Sequence, residues 1–238
     1  MYNTTEFVRA YALTKDTHPF CLYMERHTIL KLLGDIKNAS ILDLACGSGA
    51  YSRLFCEYGA KNVLGVDYSI RMIENAIEST PSDMPISYVH DNGESFRGDQ
   101  KFDICFHSYL LNYASCNNSL KRMCETIYCN LNNNGRMVGI MSMLGKCPGN
   151  AITCCEFYTT FDKPPSEGER YEVYFRGQDE SISNYNWSKE SYHKILKFVG
   201  FKNIKWYLPM YNKSTLLTEE NWQELITYPV FFAVSADK

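Results

Sequence analysis

Ile41-Leu42-Asp43-Leu44-Ala45-Cys46-Gly47-Ser48-Gly49-Ala50 is an apolar run carrying one acid, broken by two glycines one residue apart. Ile41, Leu42 and Leu44 suit a strand buried on both faces. Gly47 and Gly49 let the chain turn sharply and lay backbone N–H groups against a ligand before a helix starts near Tyr51. Strand, glycine turn and helix in that order open a doubly wound α/β fold. A dinucleotide fingerprint needs a third glycine three residues after the second, where Ser52 stands, and no basic residue is ready for a pyrophosphate. No Gly-Lys-Ser/Thr follows, which removes the phosphate-loop reading. A turn with no ligand stays open, because Gly-x-Gly also ends ordinary strands.

The 238 residues are enough for one α/β domain with an insertion. A net charge of −3 with 24 scattered Lys and Arg gives no footprint for a nucleic-acid backbone. None of the ten cysteines forms a Cys-x-x-Cys pair, and the spacings of Cys116, Cys124, Cys129, Cys147, Cys154 and Cys155 match no zinc module. We therefore expect plain thiols in a reducing cytoplasm and no bound metal. With no basic-plus-apolar leader and no apolar run near 18 residues, no membrane association is expected.

Outward from the turn, residues 1–39 predict two helices, about Thr5 to Lys15 and Phe20 to Leu33, forming an N-terminal helical cap with Tyr2, Phe7 and Tyr11 close to one face. Asn62 to Val66 reads as a second strand closed by Asp67, about 20 residues past the glycines, where a carboxylate can hold a ribose diol or instead cap the next helix. Ile86 to His90 is a third strand running into Asp91 and Asn92, with an Asx-turn as the plain alternative. Phe102 to Phe106 is a fourth, delivering His107, Ser108 and Tyr109 to the carboxyl edge, where open α/β sheets bind ligands. His107 is the candidate general base, with a packed histidine as its alternative. A turn at Asn132 to Gly135 leads to a fifth strand, Arg136 to Met143. Residues 144–188 lose the helix period, and 170–176 and 180–187 alternate like a hairpin around Gly177-Gln178-Asp179. Its aromatics suit a wall for a flat substrate, Tyr158, Tyr185 and Trp187 with Tyr113 being the candidate substrate contacts, or simple packing on the sheet. Lys205 to Leu208 and Pro229 to Ser235 are the remaining strands.

Asp43, Gly47 and Gly49 match the first motif of class I S-adenosylmethionine-dependent methyltransferases, acid-x-Gly-x-Gly-x-Gly, and Ala45 departs from it. The chain from Ile41 to Met143 resembles that family. The resemblance implies a Rossmann-like seven-stranded sheet with helices on both faces, a small β-hairpin inserted after strand five, and a last strand antiparallel between strands five and six. It implies S-adenosyl-L-methionine as cofactor, with Asp67 on the ribose, Asp91 and Asn92 on the adenine, and Tyr11, Ala45, Ser48, Tyr68, Met72, His107 and Ser108 around it. Nucleic-acid amino-methyltransferases carry Asn/Asp-Pro-Pro-Tyr/Phe where this chain reads His107-Ser108-Tyr109-Leu110. Tyr109-Leu110-Leu111-Asn112-Tyr113-Ala114, Asn184-Tyr185-Asn186-Trp187-Ser188 and Val199-Gly200-Phe201 resemble small-molecule natural-product methyltransferases of the toxoflavin-biosynthesis type. Methyl transfer to nitrogen or oxygen of a small aromatic or heteroaromatic molecule, by a monomer or homodimer, is the expectation. The alternatives are an aminopropyl-type transferase and a non-catalytic adenosylmethionine-binding module.

Overall fold

The computed structural model describes residues 4–144, 155, 157–161 and 163–238. Tyr2, Cys147 and Cys154 lie outside the described residues. The chain opens with α1 (Thr5–Thr17), which Thr4 caps by accepting the Phe7 N–H at 3.2 Å. The second expected helix is split: a wide π turn at Cys21–Glu25 runs into α2 (Arg26–Leu33), which ends at Gly34 with φ 60°.

Strand and helix then alternate: β1 (Ser40–Leu44), α3 (Ala50–Glu57), β2 (Asn62–Asp67), α4 (Ile70–Glu78), β3 (Ile86–His90), β4 (Phe102–Ser108), α5 (Asn117–Asn130) and β5 (Leu131–Ser142). A 3₁₀ turn at Leu110–Tyr113 follows β4. The turn expected at Asn132 to Gly135 is instead the opening of β5, and the register slips between Phe102 and Ile104 as β5 bends in beside β4. After an excursion come α6 (Lys189–Val199), β9 (Lys202–Tyr207), α7 (Glu219–Thr227) and β10 (Phe231–Asp237). The sheet order is β3-β2-β1-β4-β5-β10-β9, with β10 antiparallel to both neighbours. This is the seven-stranded arrangement expected from the sequence.

Alternation along the central strands sorts the core into two layers. Ile41 packs with Ile29, Leu33, Phe55 and Trp222 on the face covered by α2, α3 and α7. Leu42 and Leu44 pack with Leu120, Met123, Ile127 and Leu196 on the face covered by α5 and α6. Both faces of β1 are therefore buried, which is why its sequence is nearly all apolar.

The excursion between β5 and α6 is a separate antiparallel sheet of β6 (Phe157–Thr159), β7 (Arg170–Phe175) and β8 (Ser181–Tyr185). β7 and β8 form the hairpin expected from their alternation, and β6 adds a third strand along β7. Phe175 of β7 meets Phe7 and Tyr11 of α1 edge to face, with ring centroids 5.4 Å and 5.7 Å apart. The N-terminal helix and the inserted sheet thus touch one another above the carboxyl edge of the main sheet.

Candidate active site

A cavity of about 1050 Å³ opens at that edge, bounded by the ends of β1, β2 and β4, by α1 and by the inserted sheet. The glycine turn forms its floor. Ala45 donates its N–H to Val66 O at 2.8 Å, and Gly47 donates to Asp67 Oδ2 at 2.8 Å. Gly47 has φ 54°, and Tyr11 lies over it, 3.6 Å from where a Cβ would stand. Ala45 also has positive φ, 66°, a conformation that costs alanine more than glycine. The residue that departs from the expected motif therefore keeps the glycine-like backbone shape.

The two acids of β1 and β2 differ in what they face. Asp43 lies on the same side of β1 as Ile41, fully buried, and accepts from Ser52 Oγ at 2.6 Å. Its other oxygen is without a partner among the described residues. Burial, reinforced by the Asp67 charge, pushes its carboxyl up to about 7. Asp67 lines the cavity and accepts from Gly47 N–H and Ser69 N–H, both at 2.8 Å. Burial raises its carboxyl against these two hydrogen bonds. Ser69 caps α4 by accepting the Met72 N–H at 3.3 Å, so Asp67 ties the glycine turn to the start of α4 and keeps lone pairs for a ligand.

Of the residues singled out in the sequence, Tyr11, Ala45, Gly47, Asp67, Tyr68 and Asn92 line the end of the cavity at the glycine turn and the tips of β2 and β3. Ser108, Tyr113 and Tyr185 line the end beneath the inserted sheet. Others are placed elsewhere, each for a visible reason. Gly49 is small because the Tyr88 hydroxyl sits 2.2 Å from the position its Cβ would take, so a protein ring, not a ligand, requires that glycine. Asp43 and Ser48 are buried beneath the turn. Met72 is fully buried in the core. Asp91 is not among the residues lining the cavity, and one of its carboxylate oxygens accepts the N–H of Asn92 at 2.6 Å.

His107 is corrected most sharply. It faces inward from β4, fully buried over Gly139, where its Nε2 lies 2.2 Å from the place of an absent Cβ. Neither ring nitrogen has a partner among the described residues, and burial drives its pKa down to about 3. It does not line the cavity, and it is neither base nor cofactor contact. Trp187 is buried and donates its indole N–H to Ala114 O at 2.8 Å, and Tyr158 stacks on Tyr174 at 5.4 Å, away from the cavity. Phe157, the neighbour of Tyr158, takes its place in the wall.

A buried ion pair that no sequence pattern signals stands at the cavity wall. Lys15 Nζ of α1 lies 2.7 Å from Glu25 Oε2 of the π turn. Tyr51 and Tyr109 both donate their hydroxyls to Glu25, and the Lys15 ammonium sits over the Tyr109 ring at 5.1 Å from the centroid. Burial works against both charges, but the attraction between them wins, holding the Lys15 pKa up and the Glu25 pKa down. Tyr109 reaches this position from a left-handed backbone, φ 61°, immediately after β4. Asp16 adds a second tether, bound by Arg53, which also donates to Ser48 O at 2.8 Å. No local spacing announces such partners; the nine residues between Lys15 and Glu25 bridge a helix end.

Residues 41–135 match the family model described as a methyltransferase domain. An uncharacterized protein of Haemophilus influenzae is 27% identical over 195 residues, 72% of this chain and 67% of that one. A malonyl-[acyl-carrier protein] O-methyltransferase of Hamiltonella defensa is 30% identical over 87 residues, 36% of this chain and 32% of its own. A crystal structure of a proposed S-adenosylmethionine-dependent methyltransferase from Listeria monocytogenes superposes with a TM-score of 0.69 at 24% identity, covering 90% of this chain and 96% of that one. The glycine turn, the carboxylate at the end of β2 and the methyltransferase-domain match over residues 41–135 give the activity: S-adenosylmethionine-dependent methyl transfer. The residues present fit the cofactor, since the turn floor, Asp67 and the ring of Tyr11 converge on one end of a cavity larger than a single ligand needs. No helix among the described residues is long and apolar enough to cross a membrane, and none of their His, Cys, Asp and Glu side chains cluster to hold a metal.

Proposed function

We propose that this enzyme methylates a nitrogen or oxygen of a small, flat aromatic or heteroaromatic molecule held between the end of β4 and the inserted sheet. The observation that carries the reading is the make-up of the cavity's second end: Tyr109, Leu110, Tyr113, Phe157, Phe175 and Tyr185 form an apolar, largely aromatic wall. The cofactor supplies a methyl group on a positively charged sulfur that leaves as a neutral thioether. The chain's own part is then positioning. Asp67 takes the ribose hydroxyls with its remaining lone pairs, Gly47 and Ala45 set the floor, and Tyr11 closes the cofactor end from above.

Aminopropyl transfer is disfavoured, because a polyamine needs carboxylates at its own end of the site. The acids lining the cavity are Asp67, bound to two backbone N–H groups, and Glu94, engaged by Arg122 and Ser119. The likeness to toxoflavin-type enzymes supports a small heteroaromatic acceptor, and the Hamiltonella relative is an O-methyltransferase. The test is incubation with methyl-labelled cofactor and a metabolite extract split into small-molecule, protein and nucleic-acid fractions. Label should enter the small-molecule fraction with one adenosylhomocysteine released per methyl; label confined to either macromolecular fraction would refute the proposal.

A further inference from the structure

Two buried polar atoms on the walls of the acceptor end have no partner among the described residues: Ser108 Oγ, at the end of β4, and Asn184 Oδ1, on β8. Along β8, Ile182 and Asn184 are the positions turned inward and buried. Asn184 is 5% exposed. The other end of its amide is spoken for, since Nδ2 lies 3.5 Å from the hydroxyl of Tyr171, its register partner on β7. Behind it, at the end of β5, Asn112 Oδ1 accepts the Ser142 N–H at 3.0 Å. The amide nitrogen is thereby engaged, and the oxygen is the end left without a partner among the described residues. A buried acceptor without a donor is costly, and the cost is recovered when a ligand donates to it.

Two of the cations near this end are already compensated, Lys15 by Glu25 and Arg170 by Glu172. A charged acceptor would find neither of them free as a counter-ion and would lose its water at a cost.

We propose that Asn184 and Ser108 are the specificity-determining pair for the acceptor, reading an uncharged ring that presents an N–H or O–H donor beside a hydrogen-bond acceptor, as in a lactam or pyridone. The donor goes to Asn184 Oδ1, and the Ser108 hydroxyl donates to the ring's carbonyl or ring nitrogen. This rests on the small-aromatic reading above and adds to it the charge and the hydrogen-bonding edge of the molecule.

The test uses the full chain saturated with adenosylhomocysteine and measures, by ligand-detected NMR titration, the binding of 2-pyridone, N-methyl-2-pyridone, benzoate and benzylamine. 2-Pyridone should bind at least about ten-fold more tightly than N-methyl-2-pyridone, which lacks the donor, and more tightly than either charged probe. Asn184→Leu, of similar size, should remove that preference while adenosylhomocysteine affinity, measured calorimetrically, is unchanged; Ser108→Ala should weaken 2-pyridone without restoring its methylated analogue. Equal binding of the two pyridones by the wild-type protein overturns the proposal even if the variant fails to fold, and so does preference for benzoate or benzylamine. If the pyridones bind equally well, the aromatic acceptor reading survives and only the donor assignment fails. If no aromatic probe binds the adenosylhomocysteine complex, both fail.

Discussion

Asp67→Asn changes one atom of the side chain and separates the two tasks the structure gives it. In the wild type each carboxylate oxygen accepts a backbone N–H at 2.8 Å, one from Gly47 and one from Ser69. Asparagine keeps one acceptor and turns an NH₂ toward the other N–H, so one charge-assisted bond is lost and two donors confront each other. Hydrogen bonds to charged groups contribute about 1.5–3 kcal/mol, and the site is nearly closed to water, so a loss of that order in folding stability is expected. For a chain of this length that corresponds to a melting temperature lowered by roughly 3–12 °C. The same charge is to hold the ribose, and weakening two such bonds should raise the Kd for adenosylhomocysteine at least about ten-fold. Thermal melts at several ligand concentrations, alongside calorimetric titration of the folded protein, read the two effects separately. An unchanged melt would refute the idea that the carboxylate fastens the turn to α4. An unchanged Kd in protein that has lost stability would leave Asp67 a structural tie and refute the ribose assignment.

Asp43→Asn tests the neighbouring buried acid. Its folded pKa near 7 lies above the ordinary 3.8, so between about pH 4 and 7 the folded chain holds a proton that the unfolded chain has released, and wild-type stability falls as pH rises through that window. The variant's melting advantage should grow from pH 4 to 7 and then level; parallel curves would contradict it. His107→Leu should raise the melting temperature, most of all below pH 6.5, where the unfolded wild type gains a proton that the buried ring refuses until about pH 3. Turnover should stay within about two-fold, and its abolition would return His107 to the chemistry. Trp187→Ala should cost about 3–5 kcal/mol of stability through lost packing and the broken bond to Ala114, seen in a denaturant titration. Tyr185→Ala should instead raise the acceptor KM several-fold with the adenosylhomocysteine Kd held; the reverse pattern in the two variants would exchange their roles.

The places of the strands along the chain were legible because buried parallel strands must be apolar and must end where glycine or an acid lets the chain leave the sheet, while their order in the sheet came from the family resemblance. Asn62–Asp67 and Ile86–His90 fall where their sequences place them. Side-chain destinations were less legible, for a reason rooted in the same geometry. Alternation says that neighbours on a strand point apart, but not which direction holds the ligand, and so of His107 and Ser108, both expected at the ligand, one is packed inside and the other lines the cavity. Gly49 reads as an opening for a cofactor until Tyr88, nearly forty residues later, is seen to fill it. Trp187 and Tyr185 are two apart and equally aromatic, yet a carbonyl at Ala114 draws one into the core. The Lys15–Glu25 pair depends on a π turn that no apolar period foretells.

The two ends of the cavity are made of different material. At the glycine turn the chain is fixed by the register of β1 with β2 and β4, so a substitution there disturbs the sheet itself. At the other end it presents side chains on three short strands that hydrogen-bond as a sheet of their own. Exchanges at Val173, Ile182 or Tyr185 reshape the acceptor wall without touching a strand of the main sheet. Lineages carrying this architecture are thus free to wander in what they methylate while inheriting the methyl donor unchanged, and grafting another β6–β8 sheet onto the same frame is the shortest route to a new substrate.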